Sequence, residues 1–256
     1  MSGLLAIDIG NNNITCGLFR GKKLVKKLKI PSDDALIGSK LRKLCKSCGP
    51  CGVIVSSVAP RTLAKVIKGV RPLLGKSTKG GLPHFVVLGK DAAVPIKNLY
   101  KRKREVGQDR LVNAFAAREL YGAPAVVIDF GTAVTFDIVS RKGEYLGGLI
   151  MPGIKMSLAS LYEKTALLPR VKLKAAKDII GKDTVNSIRG GILFGLGAMC
   201  DGLVARYKKN LGRNLKVIAT GGNARLIKRY AKSIQVVDED LTLKGLRLAA
   251  FENSIL

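Results

Sequence analysis

The stretch Ala6-Ile7-Asp8-Ile9-Gly10-Asn11 recurs almost unchanged as Val127-Ile128-Asp129-Phe130-Gly131-Thr132, and this repeat decides the fold. Each copy is a hydrophobic run that ends in Asp-x-Gly and a polar residue, and the two aspartates lie 121 residues apart. Short apolar runs that are rich in β-branched residues and stop at turn residues predict buried strands. The repeat therefore predicts a chain made of two similar halves.

The turn after each of these strands has the chemistry of a phosphate-binding site. A glycine lets the backbone approach a ligand closely, and successive backbone N–H groups in such a turn attract an anion. The aspartate cannot bind a phosphate directly, but it can hold a cation, or a water of that cation, that bridges to the phosphates. A single Asp-x-Gly is also typical of an ordinary hairpin turn. The second copy in the same setting is what favours a phosphate clamp.

The order of the predicted elements indicates α/β architecture in both halves, each of which begins with three strands. The predicted strands cover residues 4–7, 13–19, 22–30, 53–58, 85–88, 125–128, 133–139, 144–150, 216–219 and 234–237. The predicted helices cover residues 33–46, 61–70, 106–121, 155–164, 184–211, 224–231 and 241–251. Loops are expected over residues 76–83 and through Pro169, and four glycines are expected to loosen the helix 184–211. We place the boundary between an N-terminal half, 1–105, and a C-terminal half, 106–256.

The chain is strongly basic, with 45 Lys and Arg against 18 Asp and Glu and a formal net charge of +27. Lysines are concentrated between residues 22 and 29, and Lys101-Arg102-Lys103-Arg104 is an unbroken basic run. Such charge favours anionic partners. The simpler interpretation is a solvated basic surface, because aromatic residues are not interleaved with the basic ones as base stacking requires. This basic surface is therefore the only feature through which nucleic acid could be expected to bind.

Neither a membrane span nor a leader is expected, so we predict a cytoplasmic chain with no membrane partner. No apolar run reaches the roughly 18–20 residues of a membrane helix. The opening residues Met-Ser-Gly-Leu-Leu lead directly into the first strand, which is not typical of a signal peptide.

The cysteines and the single histidine give little support for a metal centre or for nucleophilic catalysis. Cys45, Cys48 and Cys51 have the two-residue spacers of metal ligands, but a tetrahedral zinc site still lacks its fourth ligand. We favour reduced thiols at the end of a helix and in the turn after it. His84 is the only histidine and has no recognisable partner, which disfavours Ser-His or Cys-His chemistry.

A set of further motifs makes the chain resemble the type III pantothenate kinases of the acetate and sugar kinase/actin superfamily. The motifs are Asp8–Asn11, Glu105–Ala114, Asp129–Ala133, Gly143–Gly148, Pro152–Ile154, Gly181–Val185 and Ala219–Gly222. Each is weak alone, but their joint order and spacing extend over nearly the whole chain. The resemblance implies duplicated actin-like (ribonuclease H-like) halves, each a mixed sheet flanked by helices, with the nucleotide cleft between them. It also implies a homodimer.

The activity implied by this resemblance is the ATP- and Mg2+-dependent phosphorylation of pantothenate to 4'-phosphopantothenate, the first step of coenzyme A biosynthesis. The residues expected at ATP are Asp8, Ile9, Gly10, Asn11, Asn12, Asn13, Ile14, Thr15 and Thr132. The residues expected at pantothenate are Tyr100, Gly107, Gln108, Asp109, Arg110 and Thr184. The resemblance further implies that Asp109 is the proton acceptor and that Asp129 holds an activating K+ or NH4+.

The chemistry of Asp109 and Arg110 agrees with those roles. Phosphoryl transfer requires mainly positioning and charge stabilisation, so Asp109 would orient the acceptor hydroxyl and accept its proton. The guanidinium of Arg110 can form a bidentate pair with the pantothenate carboxylate. The competing interpretation is structural, since an aspartate in the first turn of a helix is favoured by the helix dipole.

Three departures from the family pattern motivate alternative functions. Asn12 stands where the family usually has Thr or Ser, Gln108 replaces a small residue, and residues 101–103 replace an Asp-Asn-Pro-like turn. One alternative is a catalytically altered relative that acts as a basic nucleic-acid-binding or regulatory accessory protein. Another is a kinase with a different small hydroxyl acceptor.

Overall fold

The structure, a computed structural model, describes residues 3–45, 50–73 and 84–253, without the side chains of residues 50, 51, 73 and 84. The chain divides into two compact units, which we describe separately. The first comprises Met1–Ile96, Lys101–Ala116 and Leu241–Leu256, and the second comprises Lys97–Tyr100 and Ala117–Asp240. The boundary after residue 105 between the two functional halves stays a prediction.

The first unit is built on a mixed sheet with the strand order β3-β2-β1-β4-β5. Its core lies between this sheet and two helices, where Ile7 and Ile9 pack in one cluster with Leu41 and Val66. A helix from the end of the chain contacts β1 on the sheet. The strands are β1 Gly3–Ile9, β2 Asn13–Arg20, β3 Lys23–Pro31, β4 Pro50–Ser57 and β5 His84–Val87, and the helices include α1 Ile37–Cys45 and α2 Pro60–Val70. Helix α3, Gln108–Tyr121, begins in this unit and ends in the second.

The second unit repeats this design with the strand order β10-β9-β6-β7-β8. In both sheets the first strand pairs antiparallel with the second and parallel with the fourth. The elements are β6 Ala125–Phe130, β7 Ala133–Val139, β8 Tyr145–Pro152, α4 Ile154–Glu163, α5 Thr184–Leu211, β9 Lys216–Thr220, α6 Ala224–Lys228 and β10 Val236–Val237. Helix α7, Leu241–Glu252, then returns to the first unit. The predicted α/β fold of two similar halves, each a mixed sheet with helices, is confirmed.

Most predicted elements are present, and the differences have local causes. Helix α1 begins at Ile37 rather than residue 33, because the backbone N–H of Leu36 donates to the Asp34 carboxylate at 2.7 Å and forms a turn. Helix α6 ends at Lys228, because hydrogen bonds that span three residues rather than four follow it. The Tyr230 N–H, for example, donates to the Ile227 carbonyl at 2.8 Å. The predicted loop 76–83 and Cys48 lie outside the described residues.

Helix α5 is continuous over 28 residues despite its glycines, contrary to the expected loosening. Gly197 explains part of this, because a Cβ atom there would overlap the Tyr230 carbonyl, so the glycine permits close packing. Among the described helices, α5 alone is long and apolar enough to cross a membrane by length and composition. Core helices of soluble proteins pass the same test, and Leu193, Cys200 and Val204 of α5 lie in the core of the second unit.

We predict that Gly153→Ala destabilises the protein, because a Cβ atom at residue 153 would overlap the Thr132 carbonyl oxygen and lie 2.8 Å from that of Gly131. Overpacking of this kind costs about 1–3 kcal/mol. The measurement is the free energy of unfolding from urea denaturation. Gly191→Ala is the matched control, since nothing lies within 4 Å of a Cβ there and alanine is favoured in a helix. Equal stability of both variants would contradict this packing.

Candidate active site

The first Asp-x-Gly turn is held in shape by a serine that the sequence analysis missed. Within the turn, the Gly10 N–H donates to the Asn13 carbonyl at 3.0 Å. The hydroxyl of buried Ser32 donates to the Gly10 carbonyl at 2.9 Å, and its N–H donates to the Asn12 carbonyl at 3.0 Å. Asn11 and Asn12 themselves are exposed. Ser32 therefore fixes the backbone of the loop while leaving its amide side chains accessible to a ligand.

In the second Asp-x-Gly turn, the Asp129 carboxylate packs closely against the backbone of a glycine, Gly221. Asp129 is partly buried, and a Cβ atom on Gly221 would overlap its Oδ1 oxygen. Gly221 also has a φ of +87°, which favours glycine. The adjacent Thr132 is exposed at the strand end, and the Gly131 N–H donates to the Ala133 carbonyl at 3.1 Å. A carboxylate in such a setting is a suitable oxygen ligand for a cation.

Asp109 lies in the first turn of α3, and its carboxylate folds back over the chain that precedes it. Its Oδ1 accepts the N–H of Arg110 at 2.8 Å. A Cβ atom on Gly107 would lie 2.5 Å from the same oxygen and 3.4 Å from Val58 Cγ1. Glycine at residue 107 therefore leaves the space that the Asp109 carboxylate occupies. Gln108 packs over Gly89, whose φ is +82°.

The environment of Asp109 raises its pKa above the ordinary value for aspartate. Desolvation by burial is the largest cause, and the backbone N–H and the charge of Arg110 act in the opposite direction. Arg110 is itself buried, with 7% of its surface exposed. A carboxylate with a raised pKa is a better proton acceptor than a solvated one, so the local electrostatics suit general-base chemistry.

The remaining predicted pantothenate residues lie in the second unit. The ring centres of Tyr100 and Tyr145 are 6.4 Å apart, and a Cβ atom on Gly147 would lie 3.2 Å from the Tyr100 ring. Thr184 is exposed at the start of α5, where Asp183 caps the helix by accepting the Asn186 N–H at 2.8 Å. The first unit thus contains residues 8–15 and 107–110, while the second contains Tyr100, Asp129, Thr132 and Thr184.

Two five-stranded sheets of the same topology, each with an Asp-x-Gly turn after its first strand, define the fold class of actin-like ATPases and sugar kinases. Two solved structures share this fold. One is a protein from Campylobacter jejuni assigned to the Baf family of transcriptional activators, with a TM-score of 0.61, 20% identity, and coverage of 98% of this chain and 100% of that one. The other is an inorganic polyphosphate/ATP-glucomannokinase from Arthrobacter sp. strain KM, with a TM-score of 0.51, 13% identity and the same coverage. At these identities the likeness shows the fold alone.

Sequence comparison identifies the family. The sequence model described as type III pantothenate kinase matches residues 4–206. The type III pantothenate kinase of Syntrophus aciditrophicus (strain SB) is 40% identical over 267 residues, which cover 98% of this chain and 100% of that protein. The chain therefore belongs to the type III pantothenate kinase family.

We predict that Ser32→Ala weakens ATP binding several-fold, because residues 10–12 lose the hydroxyl that holds the Gly10 carbonyl. The measurement is the dissociation constant of ATP by calorimetry. Thr165→Ala is the control, since its hydroxyl also donates to a backbone carbonyl, that of Leu161, but lies outside every predicted site. Unchanged ATP affinity in Ser32→Ala would show that the loop does not depend on this bond.

Proposed function

We propose that the chain transfers the γ-phosphoryl group of ATP to the primary hydroxyl of pantothenate, giving 4'-phosphopantothenate and ADP. A bond forms between the acceptor oxygen and the γ-phosphorus, the bond from that phosphorus to the β,γ-bridging oxygen breaks, and the hydroxyl proton passes to Asp109. The observation that carries this proposal is the Asp109 carboxylate with its raised pKa, at the start of α3 in a member of this family. The reaction is the first step of coenzyme A biosynthesis.

The stretch from Asp8 to Thr15 is proposed to bind the ATP phosphates. The Ser32 contacts support this role, because they hold a loop of N–H groups and exposed amides in one conformation. Magnesium bound with ATP would neutralise charge that develops on the phosphoryl oxygens. The carboxylate of Asp8 is the group of this loop suited to the ion, directly or through a water. Asn12 supplies an amide donor in place of the usual hydroxyl.

Pantothenate is proposed to bind through Tyr100, Gly107, Gln108, Arg110 and Thr184. Arg110 would pair with the pantothenate carboxylate, since a guanidinium binds a carboxylate in two parallel hydrogen bonds. With its carboxylate held by Arg110, pantothenate would be restricted in orientation. Its acceptor hydroxyl, at the other end of the molecule, would then be held in place for Asp109. Positioning of this kind is the main source of rate enhancement in phosphoryl transfer.

Asp129 is proposed to hold a monovalent cation, K+ or NH4+, and Thr132 to contact ATP. The close approach of Gly221 to the carboxylate supports this assignment, because a glycine leaves backbone groups accessible beside it. Thr132 is exposed and carries a hydroxyl donor. A cation at Asp129 would offset the repulsion between this carboxylate and an anionic ligand.

We further propose that the chain is a cytoplasmic homodimer that pairs through the second unit. Strand β8 is the outermost strand of its sheet within the described part of the chain. It and α4 carry large apolar side chains that are exposed, namely Leu149, Ile150, Met156 and Tyr162. Exposed apolar side chains on an edge strand and on the helix that follows it favour a protein–protein interface, and a second copy is the partner that the family implies. The exposed basic run 101–104 fits a solvated surface and gives the nucleic-acid alternative no further support.

We predict that Asp109→Asn abolishes pantothenate-dependent ADP release while the free energy of unfolding at neutral pH is equal or higher. The folded pKa of Asp109 is raised, so its ionised form costs stability at any pH above that pKa, and a neutral amide avoids the cost. In the wild-type chain, kcat/KM is expected to fall as the pH drops through the raised pKa, which protonates the base.

The matched control for this prediction is Asp91→Asn. Asp91 is an exposed carboxylate of the first unit that accepts the Val87 N–H at 2.9 Å and belongs to no predicted site. It should retain turnover. Wild-type turnover in Asp109→Asn, measured by a coupled ADP assay, would refute the assignment of the proton acceptor.

We predict that Ile150→Glu converts a dimer to a monomer, because it buries a charge at the proposed interface. Ile150 is 63% exposed in the single chain. The measurement is molar mass by sedimentation at several protein concentrations. Leu36→Glu is the control, since Leu36 is 61% exposed but lies in the first unit. A dimer that survives Ile150→Glu and dissociates in Leu36→Glu would place the interface elsewhere.

A further inference from the structure

The two sheets carry the same arrangement of polar side chains across the strands that end in aspartate. In the first sheet, Asp8 of β1 pairs with Thr15 of β2 on one side and with Ser56 of β4 on the other. In the second sheet, Asp129 of β6 is flanked in the same way by Thr135 of β7 and Thr220 of β9. Paired residues on neighbouring strands project to the same face of a sheet. Each aspartate therefore lies in a row of hydroxyl, carboxylate and hydroxyl.

Ser56 differs from the other hydroxyl groups in these rows. It is fully buried, with 0% of its surface exposed, and its Oγ has no hydrogen-bond partner among the residues that the structure describes. In the corresponding row, Thr135 Oγ1 donates to the Asp137 carboxylate at 2.9 Å. A buried hydroxyl without a partner loses its hydrogen bonds to water on folding and gains none in return.

The residues before Ser56 on β4 show that its polarity is not needed for packing. Val53, Ile54 and Val55 are all apolar and fully buried. An alanine at residue 56 would avoid the desolvation cost of the hydroxyl. Ser56 is the residue of β4 that pairs with Asp8, the aspartate of the proposed phosphate-binding turn, and this pairing points to a polar ligand that both side chains serve.

We propose that Ser56 is a positioning residue for the hydrated divalent cation that accompanies ATP. Magnesium dehydrates reluctantly and keeps several waters when it binds through one or two carboxylates. The Ser56 hydroxyl can donate to a carboxylate oxygen of Asp8 or accept a hydrogen bond from a water of the ion. It thereby holds the carboxylate and the hydrated ion in one orientation. This inference rests on the proposed function, because it takes the ligand of the Asp8 turn to be a nucleotide with its metal.

The test is calorimetric titration of the full chain with ATP, once with magnesium and once with EDTA. In the wild-type chain, magnesium is expected to raise the affinity for ATP. In Ser56→Ala this gain is expected to fall about tenfold or more, since hydrogen bonds to charged groups contribute about 1.5–3 kcal/mol. The affinity for metal-free ATP is expected to stay unchanged.

Two further variants separate positioning from structure. Ser56→Thr is expected to restore the magnesium gain, because Thr220 occupies the corresponding place in the second sheet. Ser233→Ala removes another serine hydroxyl that is shielded from solvent but belongs to no predicted site, and it is expected to leave the gain unchanged. If Ser56→Ala fails to fold, Ser56→Cys keeps the size with a weaker donor and should lose the gain in the same way.

The outcomes are distinct. A full magnesium gain in Ser56→Ala overturns the proposal, as does an equal loss of affinity for metal-free ATP, which would indicate a purely structural role. A wild-type chain that gains no affinity from magnesium also overturns it. Failure of the wild-type chain to phosphorylate pantothenate would contradict the proposed function but not the role of Ser56, because the titration measures binding alone.

Discussion

One electrostatic constraint underlies the proposed function. A carboxylate lies at the end of the central strand of each sheet, where an anion is expected to bind. Asp8 and Asp129 are each the last residue but one of a strand that is buried along most of its length. Placed beside a polyphosphate, two carboxylates would repel the ligand. The proposed binding of a nucleotide therefore requires cations at these carboxylates, and each aspartate is followed by a turn with a glycine and a polar residue.

The carboxylates that the proposed function uses are of two kinds, which differ in their surroundings. Asp8 and Asp129 lie at strand ends beside glycine turns, where a cation can approach them. Asp109 lies at a helix start, packed over Gly107, and desolvation raises its pKa. The first two are suited to binding metal ions and the third to accepting a proton. The duplicated fold thus repeats the proposed cation ligand, while the proposed base occurs once, at the start of α3.

The sequence predicted elements best where hydrophobic periodicity is strong and turn residues bound it. Helix α5 and strand β7 have the predicted bounds, and the repeat of Asp-x-Gly predicted the duplicated sheets. Ser32 and Ser56 were missed, because a single serine carries no sequence signal. Their importance follows from a hydrogen bond across 22 residues and from the pairing of β1 with β4, which appear only in the folded chain. The start of α1 was missed for a similar reason, since the turn at Asp34 competes with helix formation.

The central claim is that this chain couples ATP cleavage to phosphorylation of pantothenate. The most direct test is a mass-spectrometric measurement of ADP and phosphopantothenate formed by the purified chain with ATP, magnesium and pantothenate. The two products are expected to form in equal amounts, and little ADP is expected to form without pantothenate. ADP formed without phosphopantothenate, or a phosphoryl group found only on another acceptor, would contradict it.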